Sequence, residues 1–413
     1  MAKAEEIAIL TVNGADYQDW ETIEVTRSEY HHPFYHFRFT CSEGMPLAKN
    51  WAAMRIIPGM ECSVTLAGEL AITGLVCSRQ VYVGKARHRV EIQGASNTIA
   101  LAAASVVTQT GEFTDITYRQ YANALVKNFP GMAFVEQGNL AGQHPLMNVG
   151  PSFNRVTQPA QGVCSAARGW SMLGVSINCF VAHTLTVLVR ADRFLVGPIP
   201  RISNPPGTSV LDALEKPLRA LGGIPLTSDV HGNLVAAVGP TGATDTIYEG
   251  DLGWPSYLIG REIIYNPGMA GDIVTVAQRP GSNTQWGAKV ASMPYYGNVF
   301  QSLAASYAPQ VVPLEVPGWQ TSFLESRTNA DRDWQNEDEI TVFATVSGWL
   351  RPSGGLWKQS EMVSVVSPML VMDGTVPLKV RSVVFSQDNS SGTTTTLELC
   401  SNAALKGFIP QGS

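Results

Sequence analysis

The residues of this sequence best suited to chemistry are its histidines and carboxylates, and their spacing limits what they can do. His31, His32 and His36 fall in the run His31-His32-Pro33-Phe34-Tyr35-His36-Phe37-Arg38-Phe39-Thr40-Cys41. Imidazole is a common metal ligand. On a strand, however, His32 and His36 share a face about 13 Å apart at roughly 3.3 Å per residue, too far to hold one ion. His31 points the other way, so the run reads as a surface or interface strand. His88, His144, His183 and His231 are scattered and read as structural. Asp331/Asp333 and Glu337/Asp338/Glu339 offer the carboxylate pairs that sugar hydrolysis uses. They lie in a charged segment, 321–339, whose expected form is a solvated helix face. Gly169-Trp170-Ser171-Met172-Leu173-Gly174 has the wrong spacing for a nucleophile elbow. The stretch from Gly239 to Thr246 lacks the lysine of a phosphate loop and reads as a turn. Cys41, Cys62, Cys77, Cys164, Cys179 and Cys400 form no Cys-x-x-Cys pair, which argues against zinc knuckles and redox motifs. They read as reduced, mostly buried thiols of a protein made in the cytosol. No catalytic residue, cofactor-binding residue, cofactor or metal ligand is assigned.

Three tryptophans have a different kind of candidacy. Trp349 and Trp357 flank the turn Pro352-Ser353-Gly354-Gly355, and Trp20 follows an early hairpin. Such rings serve either as anchors at a subunit contact or as packing inside a barrel. Both readings stay open for Trp20, Trp349 and Trp357.

The elements that must carry these residues are mostly strands. Ile340, Val342, Ala344 and Val346 alternate with Thr341, Thr345 and Ser347, the period of a half-buried strand. Further runs, Met362 to Leu370, Leu378 to Gln387 and Thr393 to Cys400, are separated by Asp373-Gly374 and Asp388-Asn389-Ser390-Ser391-Gly392. Those are turn residues, so 340–400 reads as an antiparallel meander of four to five strands. At the other end, Ile7, Ile9 and Thr11 lead into Asn13-Gly14, a strong hairpin signal, and Ile23 and Val25 return. Short strands follow to Gly94, and an apolar helix over 98–105 seals the unit. Helices are expected over 118–129 and 208–221. The second has Thr208 or Ser209 as cap, Gly222-Gly223 as stop and Pro217 as a kink. Asp229 to Val235 reads as a hairpin.

The bulk composition sets limits. A chain of 413 residues should divide into roughly two to four domains. Its 38 glycines and 25 prolines favour strands and turns over long helices. A net charge of −6 argues against a dedicated nucleic-acid binder. No uncharged apolar stretch reaches the length of about 18 residues that a membrane span needs. The opening Met1-Ala2-Lys3-Ala4-Glu5-Glu6 puts acids where a signal peptide needs an apolar core.

Three sets of residues also resemble a known family. The first is Val12, Gly14, Tyr17, Trp20, Ile23, Val25, Thr26 and Arg27, followed by Ile72 to Gly74 and Val90 to Ser96. The second is the helix and hairpin around Ala220 to Val235. The third is Gly348-Trp349 with Gly354-Gly355-Leu356-Trp357, then the strands to Leu399. In that order they resemble the baseplate hub proteins of contractile-tailed phages of the Mu type, related in fold to the T4-type hub and the head of type VI secretion spikes.

The resemblance implies a mainly β fold with an α+β middle. Two tube-like antiparallel β-barrels would occupy 1–108, and 246–292 with 335–405. A mixed middle domain would occupy 109–245, with an unmatched insertion at 137–202, and a small inserted lobe 293–334. It further implies a structural virion protein and not an enzyme. A homotrimer would form a pseudo-six-fold ring between the six-fold tail tube and the three-fold spike. Its partners would be itself, the trimeric spike, tube or tube-initiator proteins and baseplate wedge proteins, with genomic DNA only in passage. Assembly would take place in the host cytoplasm. Two other readings are carried alongside: a tail-associated cell-wall or glycan hydrolase, and a spike component of a secretion-type contractile system. The last is expected to bring a long C-terminal needle or effector, and the sequence ends at Ser413 without one.

Overall fold

The structure is a computed structural model. It describes residues 6–28 (19 apart), 33–43, 56–107 (86–87 apart), 112–138, 199–238 (222–223 apart), 243–249, 257–264, 272–277, 283–284, 293–298, 309–314, 327–328, 331, 334, 337, 340–367 and 375–401. His31, His32, the 169–174 motif, His144, His183, Cys164, Cys179, Asp333, Asp338, Glu339 and nearly all of the 137–202 insertion lie outside these.

The chain begins with β1 (Ala8–Val12) and β2 (Ala15–Tyr17), joined by Asn13 and Gly14. Both turn residues have positive φ, 49° and 79°, which a two-residue hairpin of right-handed strands requires. The strands β3 (Thr22–Ser28), β4 (His36–Glu43), β5 (Glu61–Leu66), β6 (Glu69–Val83) and β7 (His88–Ser96) follow. Helix α1 (Ile99–Ala103) then leads into the middle region.

The middle region contains β8 (Glu112–Ile116), α2 (Tyr118–Val126), β9 (Phe134–Gly138), β10 (Ile199–Ser203), α3 (Val210–Leu221), β11 (Leu226–Ser228) and β12 (Leu234–Val238). Thr117 and Gln120 form a reciprocal capping box that starts α2. The Ser209 hydroxyl accepts the Asp212 N–H at 3.0 Å and so caps α3. Here β10 pairs with β8, and β11, β12 and β9 form a small sheet. The two helices bury Tyr118, Tyr121, Leu125, Val210, Leu214 and Leu218 in a core of their own.

The chain continues through β13 (Ala243–Glu249), β14 (Tyr257–Ile264), β15 (Asp272–Ala277), β16 (Met293–Asn298), β17 (Pro309–Leu314), β18 (Ile340–Ser347), β19 (Met362–Val366), β20 (Thr375–Asp388) and β21 (Gly392–Cys400). β15 pairs with β16 and β17 as a separate three-stranded sheet. β19, β13, β14, β18, β21 and β20 pair in that order, and β20 pairs back with β19. These six strands therefore close on themselves, which removes the open edges of the sheet. Strict alternation of buried and half-exposed residues along β18 puts Ile340, Val342, Ala344 and Val346 inside.

β20 belongs to both halves of the molecule. Its first part pairs with β19 from Lys379 to Thr375. A register shift between Val380 and Ser382 bends it. Its second part, Ser382 to Gln387, then pairs with β3 from Ser28 to Ile23. The N-terminal strands and the closed ring are in this way one thirteen-stranded sheet. One core fills both: Leu10, Val25, Phe39, Ile72 and Ile92 from the N-terminal part, with Val342, Trp349, Trp357, Val383, Phe385 and Leu399.

Candidate assembly site

Among the described residues, the loop between β18 and β19, residues 348–361, makes hydrogen bonds to the N-terminal strands, to the closed ring and to the middle region. Its conformation is set by glycine: Gly348, Gly354 and Gly355 have φ of 82°, 95° and 80°, where a side chain is strained. The Glu6 carboxylate lies against Gly348 and accepts the Trp349 N–H at 3.3 Å. Glu69, at the start of β6, accepts the Leu356 N–H at 3.1 Å. Asp245 of β13 takes both the Ser353 N–H (3.1 Å) and its hydroxyl (2.8 Å). Tyr35 donates its hydroxyl to Gln359 at 2.9 Å, and Thr227 of β11 approaches the same oxygen at 3.4 Å. Arg351 closes the loop on Glu361 at 2.8 Å. Burial raises the Glu361 carboxyl pKa, and Arg351 opposes the shift.

Arg27 lies under this loop. It is 3% exposed, yet among the described residues no carboxylate forms an ion pair with it. Its guanidinium donates to the carbonyls of Trp357 (3.2 Å) and Ala71 (2.9 Å). The rings of Tyr35 and Phe385 lie 5.4 and 5.3 Å from its centre. Burial lowers its pKa, while the nearby Tyr35 and Glu69 raise it. One side chain thus links β3, β6, β20 and the loop. A planar five-donor group suits this and an ammonium does not. Sequence reasoning quoted Arg27 only as part of a motif. The available signal was register: Ile23, Val25 and Arg27 share one strand face, and the first two are apolar.

The tryptophans lie as follows. Trp349 and Trp357 are fully buried in the shared core, and Trp349 donates its indole N–H to the Ser386 carbonyl at 3.2 Å. Trp20 is half-buried against Phe39, with ring centroids 5.2 Å apart, and donates to the Tyr17 carbonyl at 3.1 Å. The remaining motif residues are positions of close approach. A Cβ on Gly74 would collide with the Ala95 carbonyl, and one on Gly94 with the Phe37 ring. The buried Ser96 hydroxyl accepts the Tyr35 N–H at 3.0 Å.

The solvated carboxylate face expected over 321–339 is corrected at two positions. Residues 327–328, 331, 334 and 337 are helical. Asp331 pairs with Arg327 at 2.8 Å, and Glu337 with Lys379 at 3.6 Å, with all four side chains largely buried. Arg327, four residues earlier, and Lys379 of β20 cover these two acids. Desolvation raises the Asp331 pKa, and the Arg327 hydrogen bond opposes the shift. Among the described residues, no three metal-ligating side chains gather and no helix is long and apolar enough to cross a membrane. The Cys62 thiol is buried and pushed up to about 12 by that burial, so it is an inert thiol. The arrangement ties the N-terminal sheet to the closed ring through one loop, with a longer hydrogen bond from the middle region.

Residues 7–96 match the family model of the Mu phage baseplate assembly protein GpP-like N-terminal domain. Among solved structures, the fold is similar to the 43 kDa tail protein of prophage MuSo2 from Shewanella oneidensis. That match has a TM-score of 0.68 and 20% identity, and covers 95% of this chain and 98% of that one. A tail protein from Neisseria meningitidis MC58 also gives 0.68, at 14% identity over 98% of each chain. The E. coli c3393 protein, a type VI secretion component with structural similarity to the T4 tail proteins gp27 and gp5, gives 0.50. Its identity is 10%, over 97% of this chain and 80% of that one. At these identities the likeness is one of fold. No curated protein matches the sequence.

Proposed function

We propose that this chain, whose residues 7–96 match a Mu-type baseplate assembly domain and whose fold is that of prophage tail proteins, is the baseplate hub of a contractile phage tail. Three copies assemble as a ring. In each copy the N-terminal strands, within 1–108, and the closed ring of β13, β14 and β18 to β21 act as two tube-like barrels. The middle region, β8 to β12 with its helices, and the β15–β17 sheet lie outside them, so β15 belongs with the inserted lobe and not with the second barrel. Six barrels from three chains give a pseudo-six-fold surface for the tail tube and a three-fold surface for the spike. Wedge proteins bind the periphery, and DNA passes through the bore at ejection. The protein is made in the host cytoplasm and resides in the virion.

The supporting observation is the β3–β20 junction with its single core. A subunit that occupies two of six positions must hold its two units at a fixed spacing. A shared sheet and core do so more firmly than a linker. The net charge of −6 suits a channel that must not retain DNA. The work is geometric and needs no bond chemistry. Light scattering on the purified protein across a concentration series tests the reading. Three copies per particle are expected, and a monomer or a hexamer overturns it. A spike component of a secretion-type system is the second reading, favoured by the weaker likeness to the E. coli protein. Decoration of isolated tail-tube ends by the purified protein favours the hub, and failure to bind them favours the spike component.

A further inference from the structure

The pairing of the N-terminal strands repeats that of the closed ring. β5, β6, β7, β4 and β3 pair antiparallel one after another, as β19, β20, β21, β18 and β14 do. β6 pairs with β5 up to Leu75, shifts register between Val76 and Ser78, and runs on beside β7 to Val83. β20 pairs with β19 up to Lys379, shifts register between Val380 and Ser382, and runs on beside β21 to Asp388. The freed part of β20, Ser382 to Gln387, is the part that takes β3. The freed part of β6, Ser78 to Val83, has β7 as its only strand partner among the described residues. Counted from the register shift, Arg79 and Val81 occupy the places of Val383 and Phe385, and like them stand opposite the core-facing side of the next strand. Val383 and Phe385 are fully buried, whereas Arg79 is exposed and Val81, Tyr82 and Val83 are 42%, 58% and 74% exposed. The counterpart of β3 is β14. Its pairing with β13 ends at Leu258, and Ile259 to Ile264 have β18 as their only strand partner among the described residues.

An exposed apolar edge is a template for strand addition and is normally covered. The strands between the two open stretches stand in the order β14-β18-β21-β20-β3-β4-β7-β6, so the stretches lie on opposite sides of this run. Two such edges allow head-to-tail pairing between copies, the type of contact that closes into a ring. We infer that the freed part of β6 adds antiparallel to Ile259–Ile264 of β14 in the next copy of this chain, as the freed part of β20 adds to β3 within the chain. The matching rows fix the register. Val383, Leu397, Ala344 and Gly260 form one row across the closed ring, and Arg79, Ile92, Phe39 and Ile23 form its counterpart. Gln387 pairs with Ile23, so Val83, in the place of Gln387, falls opposite Gly260 of the next copy. Val81 then falls opposite Glu262, and Arg79 opposite Ile264. The N-terminal strands of one copy thus meet the closed ring of the next, so the two kinds of unit alternate around the assembly. This contact rests on the trimer proposed above and names where it forms.

The test uses the full chain, with V81D/V83D to break the contact and V81C/E262C to read its register. Circular dichroism of V81D/V83D should match wild type, because both side chains are exposed. That variant is expected to weaken the trimer by ~100-fold or more in light-scattering dilution series. Mild oxidation of V81C/E262C should link copies into covalent dimers and trimers on non-reducing gels, because directly opposed strand positions bring Cβ atoms within reach of a disulfide. V81C and E262C alone should give only the wild-type background. If wild type is monomeric, the trimer and this contact fall together. If wild type is trimeric and V81D/V83D dissociates at the same concentration, the contact alone is overturned and the hub reading stands. If V81D/V83D weakens the trimer but V81C/E262C links no more than the single variants, the receiving strand is not β14 and the inference fails. If V81D/V83D stays trimeric but no longer binds a purified trimeric spike, the edge belongs to the spike and the inference fails as well.

Discussion

Within α3, Pro217 has no N–H to offer the carbonyl of Ala213, four residues back. That carbonyl is buried with the rest of the helix face, where an unmet acceptor costs about 1–3 kcal/mol. The Tyr121 hydroxyl lies 3.1 Å from it and 3.1 Å from the Asn204 Oδ1, so its one proton is shared between them, and Tyr118 donates to the next carbonyl, Leu214, at 2.9 Å. Tyr121→Phe should therefore cost about 1.5 kcal/mol in urea unfolding. In a Pro217→Ala background, where the helix meets its own carbonyl, the cost should fall to about 0.5 kcal/mol. Equal costs in both backgrounds would show that the tyrosine acts only through packing. Asp388 provides a second test, through pH. Its carboxylate accepts the Ser390 hydroxyl and N–H and the Ser391 N–H at 2.6–2.7 Å, which holds its pKa down at about 2. A depressed carboxyl stabilises the fold above its ordinary value near 3.8 and loses that contribution as pH falls toward about 2. The gap in urea midpoint between wild type and Asp388→Ala should be constant above pH ~5 and close between about pH 4 and pH 2. A gap that persists at pH ~2 would mean that the turn does not depend on the charge.

At the level of elements, close approach of β6 and β7 sets how the N-terminal sheet is built. Gly74 lies against the Ala95 carbonyl where β6 hands over from β5 to β7. Backbone cannot retreat as a flexible side chain can, so Gly74→Ala should cost about 3 kcal/mol and lower the protection of β5–β7 amides. A loss under ~1 kcal/mol would mean that the strands separate freely there. Much at this scale was legible in the sequence. Alternation gave β18 and β21, and the Leu211, Leu214, Leu218 spacing gave α3. Asn13-Gly14 gave the turn after β1, but the strand that returns from it is Ala15–Tyr17, while the Ile23 and Val25 expected there lie on β3, beside β4 and β20. The register of Ile23, Val25 and Arg27 was also visible, but a buried arginine needs partners, and these come from Ala71 and Trp357, far along the chain. Glu337 was misread for the same reason: Lys379 lies on a strand that local pattern does not bring near. Asp331 was not hidden in this way, because its partner Arg327 stands only four residues back. Alternation tells which face of a strand is buried and not which strand lies beside it. The β20–β3 pairing was therefore hidden, although both strands were visible.

That pairing decides how the whole molecule responds to stress. If the N-terminal strands and the closed ring were separate bodies, each would unfold at its own free energy. Instead Phe385 and Val383 on β20 share a core with Val25 and Phe39, and Arg27 fastens the 348–361 loop across the join. The middle region has its own core around α2 and α3, and its hydrogen bond to the loop is the long one from Thr227 to Gln359. Cooperative opening follows shared buried contacts. Hydrogen exchange across a urea series should then give one common opening free energy for amides of β3, β4, β7, β20 and β21. Those of α2 and α3 should exchange by a separate opening at lower urea. Arg27→Ala removes the fastener without exposing a strand edge, and it should split the common unit so that β3 loses protection before β21. Wild-type protein in which β3 already exchanges independently of β21 would refute the single body. A subunit of that kind could not hold two tube-like units at fixed spacing, so the same measurement bears on whether one chain can fill two positions of a six-fold ring.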